Sequence, residues 1–141
     1  MLSKIFLSSD HAGFELKKTV KDYLIKNNIE FEDLGCASLD PVDYPDYAKI
    51  LSKKLINNKS KGIIFCGTGI GISMAANRFP HIRAALCTSV EMASKSRKHN
   101  DANVLALGGR ILEDKLALEI VQKFLFTDFE AGRHSLRVDK I

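Results

Sequence analysis

Gly62-Ile63-Ile64-Phe65-Cys66-Gly67-Thr68-Gly69-Ile70-Gly71 is the stretch that decides the fold of this chain. A strand-like apolar run ends on a cysteine, glycines occupy every second position of the next five, and a helical segment follows from Gly71 to Arg78. Strand, glycine turn and helix make half of a crossover unit, and crossover units build parallel sheets covered by helices. Glycines let the backbone turn sharply and aim several N–H groups at one point, and a helix N-terminus adds partial positive charge there. A cysteine in such surroundings is placed to serve as a base or a nucleophile. The plainer alternative is a tight turn holding an inert buried cysteine, a common fate of that residue type.

The same alternation extends in both directions. Strands are expected at Lys4–Ser8, Ile29–Leu34, Gly62–Cys66, Arg83–Cys87 and Asn103–Leu107, and helices at Phe14–Lys26, Asp46–Asn57, Gly71–Arg78, Val90–Lys98 and Glu113–Phe126. Helical spacing recurs in Leu16, Val20, Tyr23 and Leu24, in Tyr47, Ile50, Leu51 and Leu55, and in Leu116, Ile120, Val121 and Phe124. These stripes are read as core. Gly35–Pro45 is the one long loop, with Tyr44-Pro45 a rigid turn before its helix. Phe129–Ile141 is too polar for a core element and carries Arg133, His134, Arg137 and Lys140, which suits a cap or an arm reaching across to something else.

With 141 residues, 45% of them hydrophobic and 27% charged, the chain has room for one α/β domain, residues 1–141, of about five strand–helix units. The apolar run near the N-terminus is too short for a signal peptide and no run is long enough to span a bilayer, so a cytoplasmic protein without a membrane partner is expected. Three cysteines lack C-x-x-C spacing and four histidines form no H-x-x-x-H pair, which argues against disulfides and a structural metal. The net charge of +4 comes from Lys and Arg interspersed with Asp and Glu. That pattern disfavours nucleic acid and suits a small anionic metabolite.

In open α/β sheets ligands sit beyond the carboxyl ends of the strands. There the chain offers Asp10, His11 and Gly13; Cys66 with its glycine loop; Ser89 and Glu91; and Gly108, Gly109 and Arg110. The loop is no Walker A motif, since Gly-Lys-Ser/Thr is absent, and Ser73 and Met74 break the spacing of G-x-G-x-x-G. A dithiol redox enzyme would need cysteine where Gly69 stands, and a cysteine phosphatase arginine where Ile72 stands. Asp10-His11 also reads as a helix cap beside a surface imidazole, and His99-Asn100-Asp101 as a polar turn. Arg133, His134 and Arg137 read either as a solvated face or as a phosphate clamp, with guanidinium groups at i and i+4. His99 and Asn100 precede the fifth strand, at its wrong end for the strand-end rule, so a neighbouring subunit is one way for them to reach the site. Cys36 and Cys87 are read as structural.

Five segments together carry a resemblance: Ser9-Asp10-His11-Ala12-Gly13, Asp43-Tyr44-Pro45, Cys66-Gly67-Thr68-Gly69-Ile70-Gly71-Ile72-Ser73, His99-Asn100-Asp101-Ala102-Asn103-Val104-Leu105 and Gly132-Arg133-His134. In this order, spread over essentially the whole chain, they resemble the type B ribose-5-phosphate isomerases, a family that includes galactose-6-phosphate and allose-6-phosphate isomerases. The resemblance implies a Rossmann-like three-layer α/β/α sandwich with a five-stranded parallel sheet and a C-terminal helical segment. It implies aldose–ketose isomerisation of a sugar phosphate through an enediolate, a step of the pentose phosphate pathway, with no metal or organic cofactor.

That chemistry needs a carbon base, donors for a developing oxyanion and an acid/base to open the furanose ring. By resemblance, Cys66 is the base, Thr68 bonds the thiol or the substrate, and the N–H groups of Gly67, Gly69, Ile70 and Gly71 serve the oxyanion. His99 opens the ring, Asp10 and Asn100 hold sugar oxygens, and Arg133 and Arg137 clamp the phosphate with help from Arg110, His11 and His134. Relatives that use a glutamate base carry it a few residues further on; Ile72 offers no carboxylate, so this chain resembles the cysteine type. The resemblance also implies a homodimer or tetramer whose sites lie between subunits. A hexose-phosphate isomerase, of the allose or galactose type, is the alternative enzyme. A silent sugar-phosphate sensor is the non-enzymatic one.

Overall fold

The structure, a computed structural model, describes residues 2–56 and 59–141. Five strands, β1 (Ile5–Ser9), β2 (Phe31–Asp33), β3 (Lys61–Cys66), β4 (Ala84–Leu86) and β5 (Val104–Gly108), form one sheet in the order β2-β1-β3-β5-β4. Every pairing is parallel. The helices are α1 (Phe14–Lys26), α2 (Tyr44–Lys54), α3 (Ile70–Ala76), α4 (Val90–Lys98), α5 (Asp114–Leu125) and the short α6 (Ser135–Val138). This is the expected Rossmann-like α/β/α sandwich with a helical C-terminal segment, and among the described residues no helix is long and apolar enough to cross a membrane.

Strand side chains alternate between the two faces, so each central strand feeds two cores. Ile63 and Phe65 of β3 and Leu105 and Leu107 of β5 pack with α1, α4 and α5 through Leu16, Val20, Ala93, Ile120 and Phe124. Ile64, Cys66, Val104 and Ala106 pack against α2 and α3 through Ala48, Leu51, Leu55, Ile72 and Ala76. Burial on both faces explains the near-continuous apolar runs of β3 and β5. Cys66 thereby belongs to the α2–α3 face.

The predicted bounds of α1 and α4 coincide with those observed; elsewhere local hydrogen bonds move them. Ile29 lies outside β2 because its N–H bonds the Leu24 carbonyl at 2.9 Å, closing α1. Tyr44-Pro45 is the first turn of α2 and not a turn ahead of it, since proline at the start of a helix gives up no bond. Asn57, the expected end of that helix, lies outside the described residues. Asn77 stops α3 short of Arg78 by exchanging bonds of 2.7 and 2.9 Å with the backbone of Ala84. Arg83 stays out of β4, its N–H taken by Asn103 Oδ1 at 2.7 Å. Ile50, read as core, is 42% exposed, because the inner face of α2 is made by Ala48, Leu51, Ser52 and Leu55 and Ile50 falls on the opposite side.

Lys17 on α1 is a core feature that periodicity did not reveal. Its side chain is 0% exposed, and Nζ donates to Asp33 Oδ1 at 2.8 Å and to the Cys36 carbonyl at 2.7 Å. Burial raises the Asp33 pKa, but Lys17, Lys21 and the Gly35 N–H outweigh it and the net value is lowered. A lowered carboxyl stabilises the fold in full above its unfolded value of 3.8 and loses that contribution as pH falls through the lower folded value. Asp33→Ala leaves the Lys17 ammonium buried beside a single carbonyl, so it should cost about 3–5 kcal/mol, whereas Lys17→Met should cost far less. Urea unfolding checks this; equal losses for the two variants would refute the pair as the determinant.

Candidate functional site

Parallel register brings the carboxyl ends of β1, β3 and β5 level, with Ser9 opposite Phe65 and Cys66 opposite Gly108. Past these ends the chain segments bind one another through backbone. Asp10 N–H donates to the Phe65 carbonyl at 3.2 Å, Gly109 N–H to the Cys66 carbonyl at 2.8 Å and Arg110 N–H to the Gly67 carbonyl at 2.9 Å. A Cβ on Gly108 would lie 2.6 Å from the Thr68 carbonyl oxygen, so the turn after β3 rests directly on β5. Gly69 sits at φ +80°, which favours glycine, and caps α3.

This turn places the Cys66 side chain, 4% exposed, with Sγ accepting the Gly69 N–H at 3.1 Å. Thr68 Oγ1 accepts the Ile70 N–H at 3.2 Å, so in this state the hydroxyl caps its own loop and the contact to the thiol is made by Gly69. Asp10, buried at the end of β1, accepts the Gly13 N–H at 3.0 Å and caps the turn His11–Gly13. His11 Nδ1 accepts the Val42 N–H at 3.1 Å, which assigns the ring proton of the neutral form to Nε2 and ties the long loop to this edge. The Arg110 side chain lies over Gly67, and a Cβ on Gly71 would be 2.6 Å from the Tyr44 ring. Asp10, His11, Cys66, Gly67, Thr68, Gly69, Ile70, Gly71 and Arg110 thus share the carboxyl edge of the sheet.

His99, Asn100, Arg133, His134 and Arg137 lie at the opposite edge. His99 is the C-cap of α4, which runs back across the sheet, so it stands before the first residue of β5 while Cys66 is level with the last. Five strand residues at 3.3 Å separate the two levels by roughly 16 Å. The tail joins His99 there. Glu130 N–H donates to the Lys98 carbonyl at 3.1 Å, and the His134 ring stacks on His99 with centroids 4.2 Å apart and planes at 15°. His134 is buried, whereas Arg133, Arg137 and Asn100 are exposed. Burial first, then the charges of His99, Arg133 and Arg137, push the His134 pKa down against a pull from Glu130. One ligand atom from each of His99, Glu130 and His134 falls within 4.8 Å of the others. The cavity beside this edge is lined by Asn77, Arg83, Asn100, Ala102 and Ile141.

Two contacts at these edges are not legible in the sequence. Glu130 stands four residues before His134, a pairing that carries meaning only once the segment is known to coil. Tyr44 belongs locally to the turn that Pro45 sets, and its ring over Gly71 is a tertiary contact. Cys36 and Cys87 are buried and free. A groove between α1 and α5, lined by Thr19, Asp22, Tyr23, Lys115 and Glu119, joins neither edge group.

Residues 5–141 match a family described as Ribose/Galactose Isomerase. The chain is 42% identical over 141 residues to ribose-5-phosphate isomerase B of Escherichia coli, covering 99% of this chain and 95% of that protein. A crystal structure of a ribose 5-phosphate isomerase from Thermotoga maritima superposes with a TM-score of 0.94 at 51% identity, covering 97% of this chain and 95% of the other. Ribose-5-phosphate isomerase B from Mycoplasma genitalium, solved with bound ribulose 5-phosphate, gives a TM-score of 0.95 at 42% identity over 99% and 95% of the two chains.

Burial pushes the Cys87 thiol up to about 11, against a smaller opposing bond from Ser96. At pH 8 it should therefore resist iodoacetamide in the folded protein and react on unfolding in urea, as peptide mass spectrometry would record. Equal labelling in both states would contradict the buried assignment.

Proposed function

The chain belongs to the ribose/galactose isomerase family and is a sugar-phosphate isomerase, and from that premise we propose that it interconverts ribose 5-phosphate and ribulose 5-phosphate in sites shared between two copies. The observation that carries the reading is the split of reactive groups between the edges of the sheet. Cys66 and the glycine turn stand at one edge, His99, Arg133 and Arg137 at the other, and no single copy brings them together. A homodimer that sets the carboxyl edge of one copy against the His99 edge of its partner completes the constellation. Exposed apolar groups suit such an interface: Ile70 and Met74, 46% and 65% exposed, stand one turn apart on α3 beside the half-exposed Tyr44, and Leu136 projects from the tail.

In the proposed reaction His99 of one copy moves the proton that opens the furanose ring, and Asp10 and Asn100 hold sugar hydroxyls. Cys66 Sγ, already an acceptor towards Gly69, takes the proton from C2 of the open aldose. The charge left on the carbonyl oxygen is met by N–H groups of the turn Gly67–Gly71, those of Gly69 and Ile70 leaving Cys66 Sγ and Thr68 Oγ1 to do so. Passing the O2 hydroxyl proton to O1 and returning the carbon proton to C1 leaves the carbonyl at C2 and gives the ketose, with no net change in redox state and no external reactant. Arg133 and Arg137, with Arg110, His11 and His134, neutralise the phosphate. Charged forks are suited to that dianion.

Turnover of ribose 5-phosphate tests the reading beside allose 6-phosphate; faster turnover of the hexose would replace the substrate assignment. Cys66→Ala and His99→Ala should each lose most activity, and the two chains unfolded and refolded together should regain about a quarter of it. Half of the dimers are then mixed, and each mixed dimer keeps one intact site of two. Absence of any regain would overturn the shared site.

The arginine clamp is tested separately. Arg137→Ala removes a charge-assisted contact of about 1.5–3 kcal/mol, so kcat/KM should fall about 10- to 150-fold, chiefly through KM. An unchanged KM would remove Arg137 from the phosphate site.

A further inference from the structure

We propose that His99, Glu130 and His134 form a site for a divalent cation of the zinc class, and that the bound ion withholds His99 from the sugar ring. The second clause rests on the isomerase reading above; the first stands on geometry alone. Two imidazoles and a carboxylate are the ligand types that zinc takes at 2.0–2.2 Å, and an N, N, O set favours it over magnesium or calcium. Tetrahedral ligation sets ligand atoms about 3.3 Å apart. Those of the three residues already fall within 4.8 Å of one another, so the distances close by on the order of 1–2 Å once the side chains turn their lone pairs towards one point. Three ligands leave a fourth position for water.

The backbone that carries these groups is tied in place. Glu130 N–H bonds the Lys98 carbonyl at 3.1 Å, Arg97 Nε bonds the Thr127 carbonyl at 3.0 Å, and His134 N–H bonds the Ala131 carbonyl at 3.1 Å. Glu130 Oε1 stands 3.7 Å from His134 Nε2, too far for a hydrogen bond, so the carboxylate and the imidazole are adjacent without being joined. The near-parallel rings set their nitrogens side by side, and because the lone pairs lie in the ring planes, a shared ion requires the two rings to splay. His99 caps α4, whose last carbonyls favour a cation. Lys98, Arg133 and Arg137 oppose it, which suits a site that releases its ion readily. An imidazole whose lone pair is given to a metal cannot accept a proton, so ring opening would stop while the ion stays bound.

Calorimetric titration with zinc on Cys66→Ala protein, which removes the thiol as a competing ligand, should give one ion per chain. Adding Glu130→Gln or His134→Ala to that protein should weaken binding at least tenfold, with circular dichroism confirming that each variant is folded. Equal affinity in all three would overturn the site. In the protein with Cys66 intact, zinc should inhibit turnover of ribose 5-phosphate and a chelator should restore it. Glu130→Gln, measured against its own zinc-free rate, should need at least tenfold more zinc for the same fractional inhibition. Equal inhibition would assign the effect to Cys66 and overturn the withholding of His99. A protein inactive before any zinc is added would refute the isomerase reading, and the calorimetry would still decide the metal site.

Discussion

The reactive edge depends on three strand ends approaching more closely than side chains would permit. Parallel pairing of β3 between β1 and β5 brings Asp10, Cys66 and Gly108 to one level, and backbone bonds then join the segments beyond. Where β5 ends, Gly108 leaves no space between its own backbone and that of Thr68. The turn carrying Cys66 is therefore held by neighbouring chain on one side and by its own cap at Gly69 on the other. A loop fixed in this way presents N–H groups in one orientation, and that preorganisation is what makes backbone donors effective towards developing charge.

The two cores give this edge its footing. Because β3 alternates Ile63 and Phe65 to one layer and Ile64 and Cys66 to the other, the thiol continues a core face at the last residue of a strand. Lys17 performs a comparable service for the long loop. Its ammonium reaches Asp33 and the Cys36 carbonyl inside the protein, while His11 fastens the same loop at Val42. Buried charge of this kind is a modest source of stability but a strict one of geometry, since an unpaired partner is heavily penalised.

The second cluster occupies the other edge for an equally simple reason. A crossover helix returns antiparallel to the strands, so whatever caps α4 stands where β5 begins. The tail follows α4 through Arg97 and Lys98, and His134 comes to lie against His99. A copy of the chain thus carries its two residue clusters at opposite edges of its sheet. On the proposed reading, association is a condition of activity and not an accessory to it.

The α/β class and the strand count are legible from sequence because each rests on local pattern: apolar runs bounded by turns, the glycine spacing after Cys66, the helical period of Leu16, Val20 and Leu24; the candidate site residues are named there partly by that pattern and partly by resemblance. The bounds of α1 and α4 follow from the same local rules. Where tertiary bonds compete with local preference the reading fails, as when Asn77 ends α3 by pairing with Ala84, or when Ile50 faces solvent because α2 presents a different side to the sheet. Lys17, Glu130 and the Tyr44 ring gain their meaning only from partners distant in the chain or, for Glu130, from a coil that sequence does not announce. Residue order alone carries the fold class and the candidate groups; that those groups stand at two edges follows only from the folded chain, because the direction of each crossover sets on which end of the sheet a residue falls.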